Sequence, residues 1–262
     1  MVVLDAISRL LLWVLSLLIL IPVGLFIQKF MPQYRFAMGI MYLKFFCRVV
    51  TNSTVEVRGD ISKEKPTLFV ANHSSYLDIP ILGSAIKGSF VSKKEIESWP
   101  VIGLLAKLQN TVFIKRERGD AGKHSNTLIS RVQDGDNLMI FAEGTSSYSN
   151  RVYPFKSSLF SIANQRVKYE GQESFLKVQP VSICFNKLNE ETVCYADRRY
   201  YSWVGDEYFI PHLYQFIKAG KKNVLVEFHP VVSMDEFKDR KEMANYCQGV
   251  VAHGVSEKIA GR

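Results

Sequence analysis

The hydrophobic pattern changes character near residue 53 of this 262-residue chain. Residues 10–27 are uncharged and mostly apolar, bounded by Arg9 and Lys29. A helix rising 1.5 Å per residue needs about 20 residues to cross the hydrocarbon core, so the stretch sits at the threshold for spanning. Pro22 and Gly24 are expected to weaken its last turns. Over 34–50, apolar residues alternate with Arg35, Lys44 and Arg48, which suits a second helix lying in the headgroup region. The pattern therefore predicts a two-helix membrane anchor over 1–52, crossing once or dipping into one leaflet. More positive charge follows the first helix than precedes it, which puts the rest of the chain on the cytoplasmic side of an inner membrane. No small-x-small site follows the apolar run, so cleavage as a signal peptide is not expected.

From 53 onward short apolar runs alternate with helical periods. Strands are expected at 54–58, 67–71, 89–92, 111–115, 137–141, 176–185 and 223–232. Helices are expected at 75–87, from the Trp99-Pro100 turn to 108, and at 120–133, 159–166 and 234–258. Residues 197–212, rich in Tyr, Trp and Phe, read as core packing or a lid, with a membrane-interface role as the weaker alternative. Alternation at this spacing predicts an α/β sheet flanked by helices, with reactive residues at strand ends. With 47% hydrophobic residues and no Gly/Ser/Pro-rich linker, 53–262 reads as one domain.

Composition narrows the partners. The formal charge is +8, with Lys87, Lys93, Lys94, Lys107, Lys115, Arg116, Arg118 and Lys123 loosely clustered. Anionic lipid headgroups, an acidic carrier protein or coenzyme A phosphates would each favour such a surface. Nucleic acid is a poor fit, because no basic stripe interleaved with aromatics accompanies the charge. Cys47, Cys184, Cys194 and Cys247 show no C-x-x-C spacing, which suits a reducing compartment. His124, His212, His229 and His253 are too scattered for a zinc site, and no nucleotide loop occurs. Asp134-Gly135-Asp136 reads as a turn rather than a metal motif. No metal or cofactor is expected.

Two polar islands carry the chemistry. His73 and Asp78 follow the apolar run 67–71, at the junction with a helix whose N-cap is expected at Ser75. There the Asp78 carboxylate can hold one imidazole nitrogen and leave the other as a base for a hydroxyl proton. Ser75-Tyr76-Leu77-Asp78 equally fits a capping box, in which Asp78 only satisfies a backbone donor. The second island, Glu143-Gly144-Thr145-Ser146-Ser147, directly follows the strand-like 137–141, and two such strand ends favour a site. No G-x-S-x-G elbow supports a covalent serine.

Together these segments resemble the glycerolipid acyltransferase family, the PlsC-like group whose type member is 1-acylglycerol-3-phosphate acyltransferase. Asn72 to Asp78 is similar to its N-H-x-S-x-x-D motif, Phe113-Ile114-Lys115-Arg116 to F-I-x-R, Glu143-Gly144-Thr145 to the core of the third motif, and Val178-Gln179-Pro180-Val181 to the fourth. The third motif usually reads F-P-E-G-T-R-S, whereas Ala142 and Ser146 stand here at the proline and arginine positions. The family's F-K-x-G appears as Phe155-Lys156-Ser157-Ser158.

The resemblance implies a glycerophosphate-acyltransferase-like fold and direct acyl transfer, with His73 as base and Asp78 orienting it. Asn72 and Ser75 would be structural. Glu143, Gly144 and Thr145 would shape the acceptor site, and Arg116, Arg151 and Lys156 are the cations best placed in sequence to meet an anionic headgroup. The donor would be a thioester of acyl carrier protein or coenzyme A. The first expectation for the acceptor is 1-acylglycerol-3-phosphate, giving phosphatidate. Ser146 in place of arginine leaves lyso-ornithine lipid, which has no phosphate, as the alternative, and a non-catalytic lipid-binding scaffold as a third.

Overall fold

The computed structural model describes residues 2–114 and 121–259. In chain order the elements are α1 (Val2–Phe30), α2 (Arg35–Phe45), a π-helical turn at Phe46–Val50, β1 (Ser53–Arg58), β2 (Thr67–Ala71), α3 (Asp78–Ala85), β3 (Ser89–Lys93), α4 (Ile102–Leu108) and β4 (Val112–Ile114). They continue with α5 (Ala121–Gln133), β5 (Leu138–Phe141), β6 (Arg166–Tyr169), β7 (Gln172–Phe175), β8 (Lys177–Leu188), β9 (Glu191–Thr192), α6 (Arg198–Tyr201), α7 (Phe209–Lys218), β10 (Lys222–Phe228) and α8 (Arg240–Ile259).

The main sheet runs β1-β10-β8-β2-β5-β3-β4, with β9 on β8. β10 is antiparallel to β8, and the other neighbours along that path are parallel. Central β2 is buried along its length because both faces are covered, the usual condition of parallel strands. Leu68 and Val70 enter one core with Leu128 and Val132 of α5 and Cys247 and Val251 of α8. Phe69 and Ala71 enter the other, with α3, α6 and α7. This is the expected α/β sheet flanked by helices.

α1 continues through Pro22 and is about 43 Å long at 1.5 Å per residue, long and apolar enough to cross a membrane. Leu4, Leu11, Leu18, Ile19 and Phe26 are exposed on it, whereas Ala6, Trp13 and Leu17 pack into the core that holds Phe69. The expected pairing of two helices as an anchor is not confirmed. α2 buries Met38 and Leu43, and a Cβ on Gly83 of α3 would come within 2.6 Å of Leu43. Arg35 at its start reaches Asp136 at 3.3 Å, and Arg131 meets the same carboxylate at 3.1 Å. The turn at Asp134-Gly135, with Gly135 at φ +79°, thereby presents a buried anchor for α2.

Two local expectations are corrected. Residues 159–166 do not form an α-helix: a 3-10 turn at Ser157–Phe160 is followed by further i to i+3 bonds, Ala163 N–H to Phe160 O and Gln165 N–H to Ile162 O. The chain then enters a hairpin in which Tyr169 pairs with Gln172 across Glu170 (φ 49°) and Gly171 (φ 81°), the twin positive φ of a tight hairpin turn. The helix expected at 75 starts at Asp78, since Ser74 and Ser75 give their N–H groups to the Asp78 side chain. Within the aromatic segment and beyond it, α7 buries His212, Leu213, Phe216 and Ile217.

Candidate active site

Register brings the two polar islands together. β2 and β5 pair in parallel with Ala71 opposite Phe141, so the residues two beyond each, His73 and Glu143, emerge side by side at the carboxyl ends. The His73 N–H donates to Glu143 Oε1 at 2.6 Å, and the Tyr153 N–H donates to Oε2 at 2.8 Å. Two further bonds clamp the loops: Ala142 N–H to Ala71 O at 3.0 Å and Ser147 N–H to His73 O at 2.8 Å. Burial pushes Glu143 up to about 7, against its two backbone donors and with a smaller rise from the Asp78 charge. On the other side Asn72 exchanges two bonds with Ile183 of β8, at 2.8 and 2.9 Å, prolonging the pairing beyond β2.

The His73 Nδ1 lies 2.8 Å from Asp78 Oδ2. Asp78 is fully buried, and the same oxygen accepts from the N–H groups of Ser74 at 2.7 Å and Ser75 at 2.9 Å. The dyad and the carboxylate half of the capping box are therefore made by one atom. The Ser75 hydroxyl accepts from the Leu77 N–H at 3.3 Å, ahead of the helix rather than as its N-cap. An ionised carboxylate only accepts, so Nδ1 donates and Nε2 is left as the basic nitrogen. The imidazole stacks on Phe141, with centroids 4.2 Å apart and planes 16° from parallel.

His73 opens on a cavity of about 400 Å³ whose walls include Phe90, Trp99, Phe141 and Trp203. A narrower apolar cavity of about 150 Å³ shares Phe90, Trp99 and Trp203 and extends to Trp13, Tyr42 and Phe46. Gly144, Thr145 and Ser146 line the larger one, and Lys93 is its one lysine or arginine among the described residues. Gly144 has φ +70°, and a Cβ there would meet the Lys156 side chain at 3.0 Å. Lys156 and Arg151 are exposed, the Arg151 guanidinium lying over the Tyr153 ring at 5.0 Å, and neither lines the cavity. Arg116 lies outside the described residues, as do Lys115 and Arg118, and the side chains of Lys123 and His124. Among the described residues no group of three or more His, Cys, Asp or Glu side chains is arranged to hold a metal ion.

The far wall of the site carries residues that no sequence motif marked. The Tyr201 hydroxyl donates to Asp78 Oδ1 at 2.5 Å, and the Trp203 N–H donates to Ser74 O at 2.9 Å. Arg198 donates to Ser149 O at 2.7 Å, and the Tyr76 hydroxyl lies 3.0 Å from His212 Nδ1. The signal available was a run of aromatics with interspersed polar residues.

A base fixed in one tautomer by a buried carboxylate, at the mouth of an apolar cavity, equips a protein for transfer to a hydroxyl. The comparisons with known proteins give that chemistry its family. A family model described as Acyltransferase matches residues 53–184. The lyso-ornithine lipid O-acyltransferase of Brucella abortus (strain 2308) is 34% identical over 222 residues, covering 83% of each chain. The 1-acyl-sn-glycerol-3-phosphate acyltransferase of Neisseria gonorrhoeae is 31% identical over 66% of this chain and 63% of that one. The crystal structure of the 1-acyl-sn-glycerophosphate acyltransferase PlsC from Thermotoga maritima superposes with a TM-score of 0.71 at 22% identity, over 99% of this chain and 96% of that one. The chain belongs to the acyltransferase family.

Proposed function

We propose that this protein is a membrane-bound O-acyltransferase that moves a fatty acyl group from an acyl thioester to the hydroxyl of lyso-ornithine lipid. The observation carrying the chemistry is the His73–Asp78 pair, 2.8 Å apart, with Nε2 left for the acceptor. His73 takes the hydroxyl proton as the oxygen attacks the thioester carbonyl. The C–O bond forms, the C–S bond breaks, and the proton passes from His73 to the departing thiolate. No acyl-enzyme is required. Phe141, stacked on the imidazole, suits the cation formed in transit. Acyl carrier protein or coenzyme A would carry the donor, and no metal or further cofactor is invoked.

The acceptor reading rests on the cavity. Ser146 lines it at the position where the resemblance leads one to expect arginine. Planar bidentate donors suit phosphate best, whereas one lysine and the hydroxyls of Ser92, Thr145 and Ser146 suit a less highly charged headgroup. The Brucella relative, with the higher identity and coverage, is named for lyso-ornithine lipid. The Neisseria relative supports the second reading, 1-acylglycerol-3-phosphate as acceptor, for which Arg116, Arg151 and Lys156 are the candidate phosphate partners.

The apolar α1 would hold the protein on the cytoplasmic face of the inner membrane, where lysolipid is supplied laterally. The test offers purified protein a panel of lysolipids with labelled acyl donors and weighs the product. Diacyl ornithine lipid is expected. Phosphatidate alone would replace the acceptor reading, with alanine at Arg116, Arg151 and Lys156 then raising the lysophosphatidate KM. No product with any acceptor, or wild-type turnover by His73→Ala, would sink the enzymatic reading.

A further inference from the structure

We propose that Tyr201 is a positioning residue for acyl transfer, its hydroxyl fixing the Asp78 carboxylate so that Oδ2 faces His73. The inference rests on the reading of His73 and Asp78 as base and orienter. Tyr201 is fully buried at the end of α6. Its ring stacks on Phe185 at 5.3 Å and meets Phe216 edge-on at 6.0 Å, so the position of the hydroxyl oxygen is fixed. It donates to Asp78 Oδ1, while Oδ2 receives His73, Ser74 and Ser75. Without that donor Oδ1 would face the apolar core with its lone pairs unmet, and the carboxylate would be held from the Oδ2 side alone.

The segment carrying Tyr201 is itself anchored on both sides of the site. Arg198 and the Ser202 hydroxyl both bond Ser149, at 2.7 and 3.0 Å. The Trp203 N–H bonds Ser74 O at 2.9 Å, and Trp203, Val204 and Gly205 line the cavity. One tyrosine thus links the cavity wall to the carboxylate behind the base. Burial, and then the Asp78 charge, raises the Tyr201 hydroxyl well above its usual range, so it stays a donor throughout the working pH. The titratable and charged groups around the trio are Glu143 from the β5 loop, Cys47 from the π-helical turn, Cys184 of β8, and Arg198 of α6. Burial lifts both thiols, to about 12 and about 11, so they remain neutral where the base works.

Tyr201→Phe keeps the ring and removes the donor. It should lower kcat by about 10- to 100-fold, the range implied by losing a hydrogen bond to a charged group, with KM for donor and acceptor within about twofold. Asp78 would then present its charge more fully to the imidazole, so the acid limb of the pH–rate profile should move to higher pH. In an Asp78→Asn background the same change should cost less than about threefold, because the group it acts through is gone. Replacing Tyr201 by 3-fluorotyrosine retains ring and hydroxyl and strengthens the donor, so the limb should move to lower pH; this arm decides the matter if Tyr201→Phe does not fold. An unmoved limb in the folded variants, or a full loss of rate persisting in the Asp78→Asn background, would overturn the proposal. Wild-type rates in His73→Ala or Asp78→Asn would instead overturn the base reading beneath it.

Discussion

Replacing Asp78 by asparagine separates the two duties of this carboxylate. Its Oδ2 meets three donors: the His73 ring and the Ser74 and Ser75 N–H groups, at 2.8, 2.7 and 2.9 Å. An asparagine must turn its carbonyl oxygen there, since an amide NH₂ would confront two backbone donors. The NH₂ then faces the Tyr201 hydroxyl, which can rotate to accept. His73 therefore keeps its tautomer and loses only the negative charge that stabilises the imidazolium. Unit charges about 4 Å apart attract by about 4 kcal/mol at an effective dielectric of about 20, equivalent to about 10³-fold in rate. The remaining amide dipole recovers part of this, so kcat should fall by about 10² to 10³-fold with little change in KM. That is less than the roughly 10⁴-fold seen where the orienting amide forces the wrong tautomer. Steady-state transfer from a labelled thioester in mixed micelles, with thermal unfolding in parallel, measures it. A loss under tenfold would show that the charge is unused. A loss beyond about 10⁴-fold with native melting would show that the backbone donors do not dictate the amide's orientation.

Glu143→Gln should flatten the pH dependence of stability. With its folded pKa raised from 4.5 to about 7, wild-type Glu143 contributes stability that is full below 4.5 and lost as pH rises through about 7; urea unfolding at pH 5 and 8 would show no difference between the proteins if the burial argument is wrong. Ala142→Pro removes the N–H bonded to Ala71 O at 3.0 Å and should cost about 1–3 kcal/mol in the same assay, whereas an unchanged urea midpoint would mean the bond contributes nothing. Ser146→Arg should raise the kcat/KM ratio of lysophosphatidate over lyso-ornithine lipid about tenfold by adding a fork of donors to the cavity wall. An unchanged ratio would mean the headgroup binds elsewhere.

The His73–Asp78 pair was legible in the sequence because its parts are local: the two are five residues apart, and a strand end followed by a helix start is marked by the hydrophobic pattern. The juxtaposition with Glu143 was legible from the recurrence of that pattern, since parallel neighbours in register carry equivalent positions to the same edge. Tyr201 was not. Its partner is 123 residues away, and a buried tyrosine among aromatics has the same sequence signature whether its hydroxyl meets a carboxylate or water. Asp136 was hidden for the converse reason, because Asp-Gly announces a turn so strongly that the anchoring of Arg35 and Arg131 leaves no further mark. At Pro22 the local rule predicted weakening, yet α1 continues, its core-facing side held by Trp13 bonding the Tyr42 hydroxyl at 3.0 Å and Gln28 bonding Lys107 O at 2.9 Å.

The two departures from the family pattern in the third motif fall on opposite sides of one loop, and their consequences differ accordingly. Ala142 is buried and its N–H joins β2, a bond that a proline cannot make, beside the pairing that sets His73 next to Glu143. Ser146 lies in the cavity wall, four residues on, where the proposed acceptor would meet it. On the proposed reading the loop could change the headgroup it receives without moving His73, because the two parts hang on different residues: backbone N–H groups of Ala142 and Ser147 on the strand side, and Thr145 and Ser146 in the cavity wall. Acceptor specificity in this chain should accordingly respond to substitution at 145 and 146 while kcat for the best acceptor follows Asp78, Glu143 and Tyr201.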